Sequence, residues 1–201
     1  MRNSTDWSGN DVAYIKTNGF ANGAIQHRHI EDYYATHPVA VRLLLQLETF
    51  SDNIWECAAG EMHLSNELTK LGKKVRSSDL IVRCAGVEQL DFLDISNNQT
   101  WCGDIITNPP YKYANDFILK ALSLLEDGGK LALFMPIRYL EGKERKSIYT
   151  KFPPKTVYIS SSRLKCAING DFDNMTGSAV CYAWFVWVKD FTGTTTLKWF
   201  N

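Results

Sequence analysis

The chain has 201 residues with 22 acidic and 22 basic side chains, and 45% of its residues are hydrophobic. This length and composition favour one globular domain and exclude a disordered chain. The sequence has no apolar run of the roughly 20 residues that a membrane span needs, no apolar segment behind its polar N-terminus, and five scattered cysteines without zinc-ligand spacing. It therefore predicts a cytoplasmic protein that binds neither a membrane nor a metal.

The first part of the chain divides into a polar arm and the beginning of a folded domain. Residues 1–30 are rich in Asn, Gly and Ser without a regular period, which predicts a loosely ordered N-terminal arm. We expect residues 31–201 to form the domain. Pro38 favours a helix start, and the apolar residues after it predict a helix over residues 38–49.

From residue 53 the pattern alternates between strands and helices. A strand over 54–57 is followed by the small-residue turn 58–60 and by leucines at helical spacing up to Gly72, a β-turn-α unit. Further strands are predicted over 74–78 and 104–107, with a poorly marked one between 86 and 94.

The second half of the sequence continues this alternation. Helices are predicted from about 115 to 125 and from 139 to 151, on either side of a buried strand over 130–135. Segments rich in β-branched and aromatic residues predict late strands, some of them antiparallel, over 157–160, 179–188 and 194–200.

Strands separated by helices of this length predict a doubly wound α/β domain with a mostly parallel sheet and antiparallel strands near the C-terminus. In such sheets, ligands bind at the carboxyl ends of the strands. Polar residues directly follow several of the predicted strands, namely Glu56, Asp79, Asp91 and Asn108. We therefore expect the functional site to be at this edge.

The segment Asn108-Pro109-Pro110-Tyr111 follows an apolar strand and points to chemistry at an aromatic amine. The lone pair of such an amine is delocalised into the ring, so an enzyme has to localise it on the nitrogen. The Asn108 side-chain oxygen and the Pro109 carbonyl can accept hydrogen bonds from the amino hydrogens, and the Tyr111 ring can stack on a planar base. A rigid Pro-Pro turn capped by an Asn is the structural alternative.

Residues 108–111 resemble the catalytic motif of S-adenosylmethionine-dependent amino-methyltransferases, and residues 33–190 are similar to the short phage-type DNA N6-adenine methyltransferases. This resemblance implies a Rossmann-like domain that methylates adenine N6 in double-stranded DNA after the base leaves the stack, in a bacterial or phage-infected cell, as in restriction-modification systems. It implies S-adenosylmethionine as the methyl donor, direct transfer and no metal.

The resemblance also implies a set of cofactor-binding residues. The turn after the first strand corresponds to the backbone that approaches the methionine part, Asp79 to the ribose ligand, and residues 91–93 to the segment that binds the adenine ring. The full set is Tyr34, Thr36, Pro38, Glu56, Ala58, Gly60, Asp79, Asp91, Phe92 and Asn108. One position departs from the family pattern, because Met62 stands where the turn usually has a second glycine.

A locally basic stretch, from Arg138 to Lys165, has eight basic and two acidic residues. Beside a catalytic motif, such a stretch favours contact with nucleic-acid phosphates. The residues predicted to bind nucleic acid are Lys112, Arg138, Lys143, Lys146, Arg163 and Lys165. The alternative is the solvated face of an ordinary helix.

Three other functions stay open at this stage. The same tetrapeptide occurs in enzymes that methylate RNA adenine or a protein glutamine amide, and a non-catalytic cofactor-binding protein would also keep the fold. We expect short or weak DNA sequence specificity, because the segment 160–178 is the only spare loop long enough to read a sequence.

Overall fold

Strands and helices alternate along the part of the chain that the computed structural model describes, residues 34–96, 99–162, 166–168 and 180–201. The strands are β1 Tyr34–Thr36, β2 Asn53–Glu56, β3 Lys74–Asp79, β4 Glu88–Gln89, β5 Asp104–Thr107, β6 Lys130–Pro136, β7 Thr156–Ser160, β8 Cys166–Ile168, β9 Tyr182–Val188 and β10 Thr196–Phe200. The helices are α1 Pro38–Leu47, α2 His63–Lys70, α3 Ala114–Leu124 and α4 Lys143–Lys151. The predicted arm over residues 1–30 lies outside the described residues.

Eight of these strands form one sheet in the order β10-β7-β9-β6-β5-β2-β3-β4. Strand β9 runs antiparallel to its neighbours β6 and β7, and the other pairs in this sheet are parallel. The α/β class, the mostly parallel sheet and the antiparallel strand near the C-terminus are confirmed.

The sheet is covered on both faces, which explains why its central strands are almost continuously apolar. Side chains alternate between the faces, so Ile105 joins the core beneath α3 while Ile106 joins the core beneath α1 and α2. All four residues of β5 are buried. Strand β5 is thus fixed from both sides, and so is the position of the loop after it.

Three local predictions differ from the structure. The helix predicted over 139–151 begins only at Lys143, because residues Ile137–Leu140 form a 3-10 turn and Gly142 takes a φ of 115°, which favours glycine. The strand predicted between 86 and 94 shortens to β4, followed by a 3-10 turn over Phe92–Asp94.

The third difference is a two-stranded antiparallel sheet that the sequence analysis missed. Strand β1 pairs with β8 in the register Tyr34 to Ile168, Ala35 to Ala167 and Thr36 to Cys166. Strand β8 lies within the segment 160–178, which was predicted to be a loop. The pairing joins two segments far apart in sequence, so no local pattern indicates it.

Candidate active site

The carboxyl ends of β3, β2 and β5 lie side by side at one edge of the sheet, since these strands are parallel neighbours. From β2 the chain proceeds outward to β3 and β4, and then returns to β5 on the other side of β2. The strand order therefore reverses between β2 and β5. Such a reversal point opens the crevice in which α/β sheets bind ligands.

The turn after β2 is tied to the end of β3 by backbone hydrogen bonds. The Ala59 N–H donates to the Ser78 carbonyl at 3.0 Å, and the Gly60 N–H donates to the Asp79 carboxylate at 2.8 Å. At the end of this turn Met62 has a left-handed backbone with a φ of 64°. This is the position at which the sequence analysis noted a missing glycine, and the backbone adopts the conformation that a glycine favours.

Asp79 is the anchor of this edge. Besides the Gly60 N–H, its carboxylate accepts the Ile81 N–H at 3.0 Å and pairs with the Arg83 guanidinium at 3.4 Å. Its side chain is 14% exposed. A carboxylate has about four acceptor positions, and these contacts occupy three of them.

Glu56 at the end of β2 is buried rather than open to the crevice. Its carboxyl accepts the Ser65 hydroxyl, and the Ser65 oxygen lies 2.6 Å from the Ser77 hydroxyl. Burial raises the pKa of Glu56 to about 8, and the nearby negative charge of Asp79 acts in the same direction. These contacts give Glu56 a role in joining α2 to the sheet.

The segment after β4 reaches the same edge, because the Leu90 N–H donates to the Asp79 carbonyl at 2.9 Å. Asp91 is half-buried and accepts the Leu93 N–H at 2.9 Å, while Phe92 is 2% exposed and packs in the core between Trp55 and Phe117. The neighbouring Leu93 is half-buried. Leu93 is thus more accessible to a ligand than Phe92.

The loop Asn108–Tyr111 follows β5 directly and leads through a 3-10 turn into α3. Pro109 is buried and Asn108 is half-buried. The Pro110 carbonyl accepts the Tyr113 N–H at 2.9 Å, which fixes the exit of the loop. The Tyr111 ring lies against Tyr182, with 6.3 Å between the ring centroids.

Two tyrosines that the sequence analysis did not select support this loop. The Tyr139 hydroxyl donates to the Tyr111 carbonyl at 2.6 Å, and the Tyr149 hydroxyl donates to the Tyr139 carbonyl at 3.0 Å. Tyr139 comes shortly after the carboxyl end of β6, so the rule that selected the other residues could have included it.

The remaining predicted residues divide into three groups. In the segment before the sheet, Thr36 is 3% exposed and its hydroxyl has no hydrogen-bond partner among the described residues, while Pro38 begins α1. The basic side chains that the structure describes are exposed, namely Lys112, Arg138, Lys143 and Lys146. Arg163 and Lys165 lie outside the described residues, as does the side chain of Tyr34.

No protein-family profile matches the sequence, and no curated protein is significantly similar to it. Solved structures do match its fold. A protein from Listeria monocytogenes described as a class I S-adenosylmethionine-dependent methyltransferase aligns with a TM-score of 0.56 at 12% identity, over 94% of this chain and 71% of that one. This chain therefore shares the Rossmann-like fold of that protein.

Two further structures have the same fold. An S-adenosylmethionine-dependent O-methyltransferase from Thermotoga maritima aligns with a TM-score of 0.54 at 14% identity, over 83% of this chain and 69% of that one. A protein from Vibrio vulnificus described as a modification subunit of a type I restriction enzyme aligns with a TM-score of 0.56 at 10% identity, over 84% of this chain. This chain spans 46% of the length of the Vibrio protein.

Two features are absent from the ranges that the structure describes. None of the helices in these ranges is long and apolar enough to cross a membrane. Likewise, no three His, Cys, Asp or Glu side chains in the described ranges are grouped as metal ligands.

Proposed function

We propose that this protein transfers a methyl group from S-adenosylmethionine to an exocyclic amino nitrogen, and that its acceptor is N6 of adenine in DNA. The observation that carries the proposal is the position of residues 108–111. They follow the carboxyl end of β5. The turn after β2 lies next to them, and the strand order reverses between these two segments.

The residues of the loop suit methyl transfer to an aromatic amine, which requires the lone pair to be localised on the nitrogen. In the proposed reaction the Asn108 side-chain oxygen and the Pro109 carbonyl accept the two amino hydrogens, which concentrates the lone pair on the nitrogen. Tyr111 then stacks on the base, and its ring is held in place by its neighbours Tyr139 and Tyr182. When bound, S-adenosylmethionine supplies an electrophilic methyl group.

The fit of the cofactor to this edge rests on Asp79 and the turn around Gly60. The partly exposed Asp79 side chain suits a ribose hydroxyl, although Arg83 shares the same carboxylate. The left-handed Met62 gives the turn a backbone shape that glycine would allow. Asp91 and Leu93 supply an acceptor and an apolar surface for an adenine ring, and Leu93 replaces Phe92 in this role.

Adenine in duplex DNA has to leave the base stack to reach the loop, and cations near the loop would hold the flanking phosphates. The exposed side chains of Lys112 and Arg138 are close in sequence to the loop and to its support Tyr139. The fold match to a protein described as a modification subunit of a type I restriction enzyme is in keeping with this acceptor.

The decisive experiment offers three acceptors in parallel: unmethylated DNA, RNA and a cell lysate, each with methyl-labelled S-adenosylmethionine. We expect label in DNA, recovered as N6-methyladenine, and label lower by about 100-fold or more with the matched Asn108→Ala protein. Label in RNA or in protein glutamine would show that DNA is not the acceptor. The proposed methyl transfer to an amino nitrogen would still hold. Calorimetry that detects cofactor binding without any transfer would identify a non-catalytic binding protein.

A further inference from the structure

A hollow of about 590 Å³ lies along α4 and the turn before it. We call it the α4 hollow. It is lined by Leu140, Gly142, Lys143, Lys146, Tyr149 and Thr150. It is an open depression of the surface rather than an enclosed cavity.

The lining combines two kinds of chemistry. Lys143 and Lys146 are exposed and one helical turn apart, so both ammonium groups can approach the same anion. Leu140 is 40% exposed, and together with the Tyr149 ring it offers an apolar surface. Cations beside a flat apolar surface suit a nucleotide, which has a phosphate next to a planar base.

The surroundings of the hollow are positively charged. Residues 138–151 contain five basic side chains, Arg138, Lys143, Arg145, Lys146 and Lys151, against the two acidic side chains Glu141 and Glu144. The Arg145 guanidinium folds back over the Tyr139 ring, 4.2 Å from its centroid. A phosphate group would therefore be attracted to this region. A carboxylate-rich partner would be attracted as well, but it has no planar apolar group to cover the surface of Leu140 and Tyr149.

The wall of the hollow is connected to the candidate catalytic loop. The Tyr149 hydroxyl donates to the Tyr139 carbonyl at 3.0 Å, and the Tyr139 hydroxyl donates to the Tyr111 carbonyl at 2.6 Å. Burial raises the pKa of both tyrosines, so they stay neutral hydrogen-bond donors at physiological pH. The hollow and the loop are thus two hydrogen bonds apart along one rigid path.

We propose that the α4 hollow binds the nucleotide that adjoins the target base in a DNA strand. Lys143 and Lys146 hold its phosphate, and its base lies against Tyr149 and Leu140. This inference rests on the proposed function, because it assumes a polynucleotide acceptor, and it explains how a flipped base would be kept in register with the loop 108–111.

The test uses the full chain and a fluorescein-labelled, adenine-containing 20-base-pair DNA duplex as the probe. Lys143→Ala and Lys146→Ala should each weaken binding by roughly 3- to 10-fold and lower the slope of log affinity against log salt by about 0.9. Lys151→Ala is the matched control, since it removes the same charge from the same helix outside the hollow. It should bind like the wild type, and the melting temperatures of all three variants should agree.

A second readout separates this inference from the proposed function. With DNA as the acceptor, the two hollow variants should raise KM and leave kcat within about 2-fold, because the contacts are made before and during transfer alike. If all three lysine variants lost the same DNA affinity, the effect would come from general positive charge. The proposal that the α4 hollow binds a nucleotide would then be wrong. If Lys143→Ala and Lys146→Ala bound DNA normally and still methylated it, the α4 hollow would not be a nucleotide site. The proposed function would remain supported.

The last outcome concerns both proposals. If the wild-type protein binds no DNA and labels only protein or RNA, then DNA is excluded as the occupant of the hollow and as the acceptor.

Discussion

The Tyr139 hydroxyl donates a 2.6 Å hydrogen bond to the main-chain carbonyl of Tyr111, the last residue of the loop 108–111. Tyr139 is 9% exposed and follows the carboxyl end of β6, a neighbour of the strand that carries the loop. A partly buried hydrogen bond between adjacent crossover segments limits movement of the loop. Catalytic groups held in this way can keep the geometry that a transfer reaction needs.

We therefore predict that Tyr139→Phe slows methyl transfer by roughly 10-fold, since it frees the loop without touching the acceptor. The free energy of unfolding should fall by about 1 kcal/mol, the net contribution of one hydrogen bond. Tyr158→Phe is the matched control, because the Tyr158 hydroxyl donates to Glu48 at the opposite edge of the sheet. Initial rates and urea denaturation of both variants check the prediction, and equal rates would show that the bond is only structural.

Asn108→Ala tests the chemistry itself. The variant should bind the cofactor and DNA nearly as the wild type does, while transfer falls by about 100-fold or more, because the hydrogen bond strengthens chiefly in the transition state. Single-turnover kinetics and calorimetry measure the two effects separately. Asn66→Ala, an exposed change on α2, is the control. Wild-type transfer by Asn108→Ala would remove Asn108 from the catalytic role.

The sequence allowed the sheet and the candidate site to be predicted wherever the pattern was local. Strand β5 is a short apolar run that ends in Asn108, so its burial and the loop after it could be predicted from adjacent residues. The order of Glu56, Asp79 and Asn108 along the chain placed them at one edge because parallel strands end together.

The remaining features depend on contacts between distant residues. The pairing of β1 with β8 joins residues at least 130 positions apart, and Tyr139 meets Tyr111 only when β6 lies beside β5. No local pattern predicts the burial of Phe92 either, since its neighbours in the core come from β2 and α3. The later start of α4 was locally visible, because Gly142 interrupts the helical pattern.

Asp79 combines a structural and a ligand-binding role, which calls for a mild substitution. Asp79→Asn keeps an acceptor oxygen for the Gly60 or Ile81 N–H but loses the negative charge, so we expect the affinity for S-adenosylmethionine to fall by about 1.5 to 3 kcal/mol. Calorimetry measures this change. Asp94→Asn, an exposed change in the nearby 3-10 turn, is the control. Unchanged affinity in Asp79→Asn would exclude Asp79 as the ribose ligand.

Met62 is expected to be strained, because a side chain occupies a left-handed backbone position with a φ of 64°. Met62→Gly should raise the free energy of unfolding by about 1 kcal/mol and leave cofactor binding equal or tighter. Met62→Ala separates the two contributions, since it removes the side chain but keeps the Cβ. The Met62 sulfur is near Gly86, since a Cβ placed on that glycine would lie 3.5 Å from it. A loss of stability in both variants would mean that packing of the Met62 side chain outweighs the strain.

The pH dependence of stability should reveal the buried carboxyl of Glu56. Its pKa is raised from 4.5 to about 8 in the folded protein, chiefly by burial. Between these values the unfolded chain has lost the proton that the folded protein retains, so the free energy of unfolding should fall as the pH rises from about 5 to about 8.

Glu56→Gln removes the titrating group and keeps a hydrogen-bonding side chain for Ser65, so its unfolding free energy should change less with pH across that window. Urea denaturation at several pH values measures the difference between the two proteins. Glu61→Gln, an exposed change in the neighbouring turn, should retain the wild-type slope. If Glu56→Gln also kept the wild-type slope, Glu56 would have to be ionised in the folded protein at neutral pH, which requires a counter-charge or water beside Ser65.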